Sequence, residues 1–277
     1  MQLFSSWTGS DFLLFYIMLL GLAALAAWWI PFHLRPVGRR CGSLDAEDIA
    51  VLAGGTGGHT DSVIADLYAR GAIINYGDGK LRVIQTDTSA GPSGHVLLAA
   101  QTPFKRAAAE RLLAAQASRI AARMRREGLL LQADELNRLR WMSIAPFAVL
   151  FMIGLYRQRA GSALGEPTEF LLVLLVLTAG LAVFRFTKFD QRTVCGIETI
   201  TRLREQSSRL RRAPRPGEAA MAVALFGTGV LVGTPWEPVH AMRQQGSGDG
   251  SGGGDSSSDG GGDGSGCGGG GCGGCGG

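Results

Sequence analysis

The 277-residue chain is 46% hydrophobic and 18% charged, carries a formal net charge of +4 and holds 42 glycines. That combination excludes an ordinary single-core soluble domain. Residues 246–277 are Gly, Ser, Asp and Cys alone, with no apolar side chain to offset the entropy of ordering, and the rest alternates long apolar runs with Arg-rich polar stretches, the composition of a multi-pass membrane protein.

Residues 1–11 are expected to be a short external N terminus, with Asp11 at the interface. Residues 12–30 form an uninterrupted apolar run close to the roughly 20 residues a helix needs to cross a bilayer, and Trp28 and Trp29 suit its interfacial end. This predicts a first transmembrane helix. Ala24 and Ala26 also offer the small-x-small pattern of a signal-peptide cleavage site, but residues 1–11 contain no Lys or Arg for an n-region.

Residues 31–140 are expected to be a cytosolic, winged-helix-like α+β region. Asp45, Glu47 and Asp48 fill the first turn of a helix predicted over 44–53, with Ser43 available as N-cap and Gly54 as its stop. A second helix over 60–70 places Val63, Ile64, Leu67 and Tyr68 on one face and ends at Gly71. Strands 73–76 and 81–84 flank Gly77-Asp78-Gly79-Lys80, a hairpin turn tolerant of positive φ. A weaker copy follows: an Ala-rich helix from about 104 to 127, then Gly128 and the apolar Leu129, Leu130 and Leu131. Residues 43–85 and 104–140 therefore read as a candidate repeat.

Residues 141–156 are a second predicted span, short but able to borrow length from the helical pattern before it. An external connector, 157–169, with Ala163, Gly165 and Pro167 for its turn, leads to a third span at 170–186. Residues 187–245 read as a helical cytosolic region. Its apolar segment 219–232 has the length of a buried or interfacial helix, although extension to Trp236 makes a fourth span long enough to weigh, and the side on which 246–277 emerges depends on that choice. Residues 33–140 carry 15 Lys and Arg, 185–245 carry 10 and the connector carries two. Basic loops resist translocation, which places both large polar regions in the cytoplasm and the N terminus outside.

The block Leu44-x-x-x-Asp48-x-Ala50-x-Leu52-Ala53-Gly54-Gly55, the following helix and hairpin, the later hydrophobic hairpin and the Gly/Cys-rich ending together resemble an uncharacterised family of bacterial multi-pass membrane proteins. The resemblance covers nearly the whole chain and implies a bacterial inner-membrane topology. It implies no activity and no catalytic residue.

Gly54-Gly55-Thr56-Gly57-Gly58-His59 is similar to the N-terminal loop of the lipid-linked N-acetylglucosaminyltransferases of peptidoglycan synthesis, and a Gly-rich loop entering a helix can present N–H groups to phosphate. Here it follows an acidic amphipathic segment rather than a buried strand, and about 110 residues are too few for two Rossmann-like lobes. A flexible interhelical loop is the favoured reading. Nucleic acid is a disfavoured partner, because the helix over 60–70 offers Asp61 and Asp66 against Arg70 alone. Arg119, Arg123, Arg125 and Arg126 suit a helix lying along anionic headgroups of the lipid bilayer.

His33, His59, His95 and His240 lack metal-ligand spacing, and Cys41 and Cys195 read as free thiols of a reducing compartment. Cys267-x4-Cys272-x2-Cys275 puts three thiols in a Gly-rich setting that lets sulfurs converge on Zn²⁺ or Cu⁺ or enter the active site of a cysteine-modifying enzyme; a disordered extension without defined chemistry is the third reading. The expectation is a mostly α, non-enzymatic anchor or scaffold with three transmembrane helices and a disordered Gly/Cys tail for metal capture or modification. The alternatives are a membrane-tethered regulatory module binding a protein and, more remotely, a glycan-related transferase.

Overall fold

A computed structural model describes residues 9–39, 44–86, 89–100, 102–163, 169–187 and 189–248. Cys41 and the tail beyond 248, including Cys267, Cys272 and Cys275, lie outside the described residues. In chain order the elements are α1 (Gly9–Leu34), α2 (Ala46–Ala69), β1 (Ile73–Gly77), β2 (Lys80–Val83), α3 (Pro92–Leu98), β3 (Phe104–Lys105), α4 (Arg106–Glu127), α5 (Ala133–Ala163), α6 (Glu169–Thr187), α7 (Val194–Gln206), α8 (Ser208–Arg212), α9 (Ala219–Phe226) and α10 (Glu237–Gly248).

Three of the described helices are long and apolar enough to cross a membrane, over Phe12–Ile30, Ala133–Arg159 and Glu169–Thr187. Leu14, Met18, Val149, Met152, Val173 and Val176 point outward and are exposed, an apolar girdle that water would not tolerate and lipid would. Inward, Phe12, Tyr16, Phe147, Leu150, Leu171 and Leu175 form the bundle's own core. Gly154 of α5 permits this packing: a Cβ there would sit 3.0 Å from the Tyr16 ring, whose hydroxyl reaches Thr178 Oγ1 of α6 at 3.1 Å. Small residues at such crossings are how helices approach closely in lipid. The second span is longer than 141–156, because the polar turn from Ala133 continues into it, and α5 runs helically to Ala163 through most of the expected connector.

The remaining elements build one polar body at one end of this bundle. β1 and β2 pair as an antiparallel hairpin, Ile73 opposite Val83 and Ile74 opposite Arg82, with Gly77, Asp78 and Gly79 all at positive φ in the turn. β3 adds to the other edge of β2, Leu81 opposite Phe104, so the helix expected from 104 begins two residues later. Val63, Leu67, Ile73, Leu81, Leu97 and Leu113 fill the core beneath the sheet. The second half of the candidate repeat makes no hairpin of its own. Gly128 caps α4 at φ 78, and Leu130 bridges to Arg192 instead.

The apolar segment 219–232 is not a span in this structure. It is the eight-residue α9 followed by a short 3-10 turn over Thr228–Leu231, with Ala222, Val223 and Leu225 buried against α2 and Ser62 Oγ donating to the Ala220 carbonyl at 2.8 Å. The two polar regions on either side of the α5–α6 hairpin thus share one core. Where they meet the bundle, three chain segments are stitched together: Val194 and Cys195 donate to the Pro36 and Val37 carbonyls at 3.1 and 2.9 Å, Thr193 donates to Leu129 at 3.0 Å, and Leu131 donates to Gln191 at 2.8 Å.

Candidate functional site

The glycine run is not a loop. α2 continues through it except at Gly55, whose φ 61 and ψ −151 break the helix at one residue. In an unbroken helix residues 47 and 59 would be about 18 Å apart; here Glu47 Oε2 lies 3.5 Å from His59 Nε2. The two halves of α2 therefore fold across one another at Gly55. The approach is so close that a Cβ on Gly58 would be 3.2 Å from the Ala50 carbonyl oxygen. The helix begins two residues later than Ser43 would cap it, with Asp45 as N-cap and the Asp45 N–H donating to Asp48 Oδ2 at 3.4 Å.

This corner brings together a buried polar cluster that spacing alone did not reveal. Ser93, at the start of α3, donates its hydroxyl to Glu47 Oε2 at 2.6 Å and its backbone N–H to Glu47 Oε1 at 3.4 Å. His59 Nε2 lies 3.1 Å from Ser93 Oγ, and both His59 and Ser93 are fully buried. Glu47 so supplies the negative charge at the α3 N-terminus that the helix dipole favours. Gly91 is what admits it, since a Cβ there would collide with Glu47 Oε1.

Serine, histidine and a carboxylate in contact invite comparison with a hydrolytic triad, and the geometry argues against one. A relay needs the acid on the ring nitrogen opposite the serine. Here Glu47 and Ser93 share Nε2, while Nδ1 is buried with no hydrogen-bond partner among the described residues. The serine hydroxyl is already committed to the carboxylate, and no exposed face of Ser93 is left for a substrate. The cluster ties three segments together.

Its electrostatics give a pH signature. Burial pushes the Glu47 carboxyl up, but hydrogen bonds with His59 and Ser93 outweigh it and hold the carboxyl below the ordinary range. A carboxylate whose folded pKa is depressed stabilises the fold above its unfolded pKa, about 4.3, and that contribution is lost as pH falls through the lower folded value. Wild type is expected to exceed Glu47→Gln in stability from pH 7 down to about 4.3, the two converging below it. Denaturation of the detergent-solubilised chain across pH 3–7 checks this; parallel curves at all pH values would refute it.

A second polar layer joins α2 to α4 and α10. Asp61 is buried, with Arg106 Nε donating to Oδ1 at 2.6 Å and Arg243 Nη1 3.0 Å from Oδ2, an ion-pair distance without hydrogen-bond geometry. Burial pulls the Arg106 guanidinium down, but Asp61 and then Glu110 more than reverse this, so its pKa is raised. Arg123 pairs with Asp48, and Arg70 with Asp66 at 2.9 Å. Part of the basic face of α4 is thus turned onto α2. Arg119, Arg123 and Arg126 line a groove of about 670 Å³ between α2, α4 and the start of α9, with Asp45, Asp48 and Asp66 also on its walls.

The other histidines stay apart. His33 stacks on Trp29 with ring centroids 4.1 Å apart, His95 is exposed on α3, and His240 Nδ1 meets Thr228 Oγ1 at 3.0 Å. Cys195 is a buried free thiol on α7. Among the described residues no three His, Cys, Asp or Glu side chains form a metal-holding group. Set against known proteins, the chain matches no family model, no curated protein and no solved structure.

Proposed function

We propose that this chain is a non-enzymatic membrane anchor and scaffold that displays residues 246–277 beside its polar body. The observation that carries the reading is the seating of α10. Val239 and Met242 are buried in the body's core, and Arg243 reaches the buried Asp61. The chain therefore leaves the body, not the bundle, as it enters the Gly/Cys segment. By the excess of Lys and Arg in 33–140 and 185–245 that side is the cytosolic face of a bacterial inner membrane. Cys267, Cys272 and Cys275 are then held near the membrane for a soft cation such as Zn²⁺ or Cu⁺, or for a cysteine-modifying partner enzyme.

The test compares the intact mass, bound metal and free thiols of the native full chain with those of a variant carrying Cys267→Ser, Cys272→Ser and Cys275→Ser. The expected result is a metal or mass adduct that disappears in the variant. Native protein with three free, metal-free thiols and an unchanged phenotype would overturn the proposal.

A second reading has its own support. The winged-helix-like hairpin presents Ile74 and Tyr76 to solvent, with Ile84 exposed just beyond it and the Arg82 guanidinium 4.3 Å over the Tyr76 ring. A hairpin edge with exposed apolar side chains suits a protein partner more than DNA. It predicts partner binding that survives removal of residues 249–277 and is lost in Tyr76→Ala.

A further inference from the structure

Where the three spans meet the polar body, positive charge is concentrated, and for Arg140 and Arg185 no carboxylate partner lies among the described residues. Arg35 follows α1, Arg140 precedes the apolar stretch of α5, Arg185 stands two residues before the end of α6, and Arg192 lies just beyond it. Asp190 is a carboxylate partner there, 3.7 Å from Arg35 Nη1 and 3.1 Å from Arg192 Nε. Arg185 has no such partner among the described residues. It donates to the Ala27 carbonyl at 3.3 and 3.2 Å and stacks 5.4 Å over Phe189. Arg140 lies 5.5 Å over Phe186, makes no ion pair among the described residues, and buries its Nε without a hydrogen-bond acceptor, as Arg35 does.

Depth in the bilayer supplies the second observation. Trp28, Trp29 and Trp141 are exposed at this same end of the bundle, and Trp141 meets Phe186 edge-on at 6.5 Å. Indole rings settle at headgroup level. The under-compensated guanidinium groups therefore sit where lipid phosphates are, between helix ends rather than on an open face, the arrangement in which basic pockets between spans hold acidic headgroups.

We propose that this end of the bundle binds the phosphate of one anionic phospholipid, held by Arg140 and Arg185 with Arg35 behind them. Planar guanidinium groups match a phosphodiester through paired N–H donors. The site differs from the diffuse attraction of a basic surface for acidic lipid, which selects no stoichiometry and does not survive exchange into neutral detergent.

The full chain, purified in a neutral detergent and given equal amounts of phosphatidylglycerol and phosphatidylcholine, is examined by native mass spectrometry. The expected result is one retained phosphatidylglycerol, with retention reduced about tenfold in Arg140→Gln, only partly restored in Arg140→Lys, which keeps the charge but not the paired donors, and unchanged in Arg138→Gln, an exposed arginine two residues away. Arg140→Gln removes no hydrogen bond among the described residues but does remove the contact with Phe186, so denaturation midpoints measured in the same detergent accompany the comparison, and a loss of lipid that tracks a loss of fold, absent in Arg140→Lys, would overturn the proposal. Equal retention of both lipids, or equal loss in Arg138→Gln, would overturn the proposal, as would displacement of the lipid by millimolar inorganic phosphate, which would mark a free-phosphate site. The inference rests on the membrane reading. A chain that stays in the aqueous phase without detergent would sink both, whereas a detergent-requiring chain with no lipid preference would sink this one alone.

Discussion

Asp61→Asn is expected to destabilise the polar body by about 3 kcal/mol, the lower end of what breaking a buried ion pair costs. The carboxylate is 2% exposed and faces Arg106 and Arg243, whose side chains are 21% and 41% exposed. Amide substitution preserves shape but leaves two guanidinium groups facing a neutral side chain, one of them largely out of water. Because Arg243 belongs to α10, the loss should reach the segment that leads into the Gly/Cys stretch. Denaturant titration of the detergent-solubilised chain reads the first effect, and faster proteolytic cleavage within 237–248 reads the second. Arg243→Gln serves as the comparison: its side chain is 41% exposed, so the cost should be within about 1 kcal/mol. Equal stability of wild type and Asp61→Asn would show that Asp61 does not hold α10.

Asp61 also shows what could be read from the residues and what could not. As a sequence feature it is an acid on a helix that otherwise looks ready to meet a partner, and its charge counts against DNA. In the fold it faces inward, and the argument from surface charge loses its basis. Its two arginines are 45 and 182 residues away, and no local pattern announces that pairing. The spans were legible because lipid imposes a length and composition that a single run of residues displays on its own. The hairpin was legible because Gly77-Asp78-Gly79 carries its turn chemistry locally. α9 was ambiguous for the converse reason. Eight apolar residues buried on several sides read alike whether the surroundings are lipid or protein, and only contact with α2 decides between them. The Glu47, His59 and Ser93 cluster was hidden twice over: Glu47 looked like a helix-start signal, and His59 like the end of a loop.

The glycine corner permits a sharp test, because two adjacent glycines should respond in opposite directions. Gly55 sits at φ 61 and ψ −151, close to a backbone region that essentially glycine alone occupies, where other residues pay about 1–3 kcal/mol. Gly55→Ala is expected to cost at least that much, and more if the halves of α2 separate, because the Glu47, His59 and Ser93 contacts depend on their crossing. Gly54 has no positive φ, and a Cβ there would meet nothing within 4 Å, so Gly54→Ala should be neutral or stabilising by up to about 1 kcal/mol through the entropy glycine loses in a helix. Denaturation midpoints of the two variants, measured in the same detergent, decide the matter. A phosphate-cradling loop would make the opposite demand: substitution at either position would leave stability nearly unchanged and weaken anion binding. Equal, small stability effects at 54 and 55 would therefore remove the corner as the reason for the glycine run and return it to the loop reading.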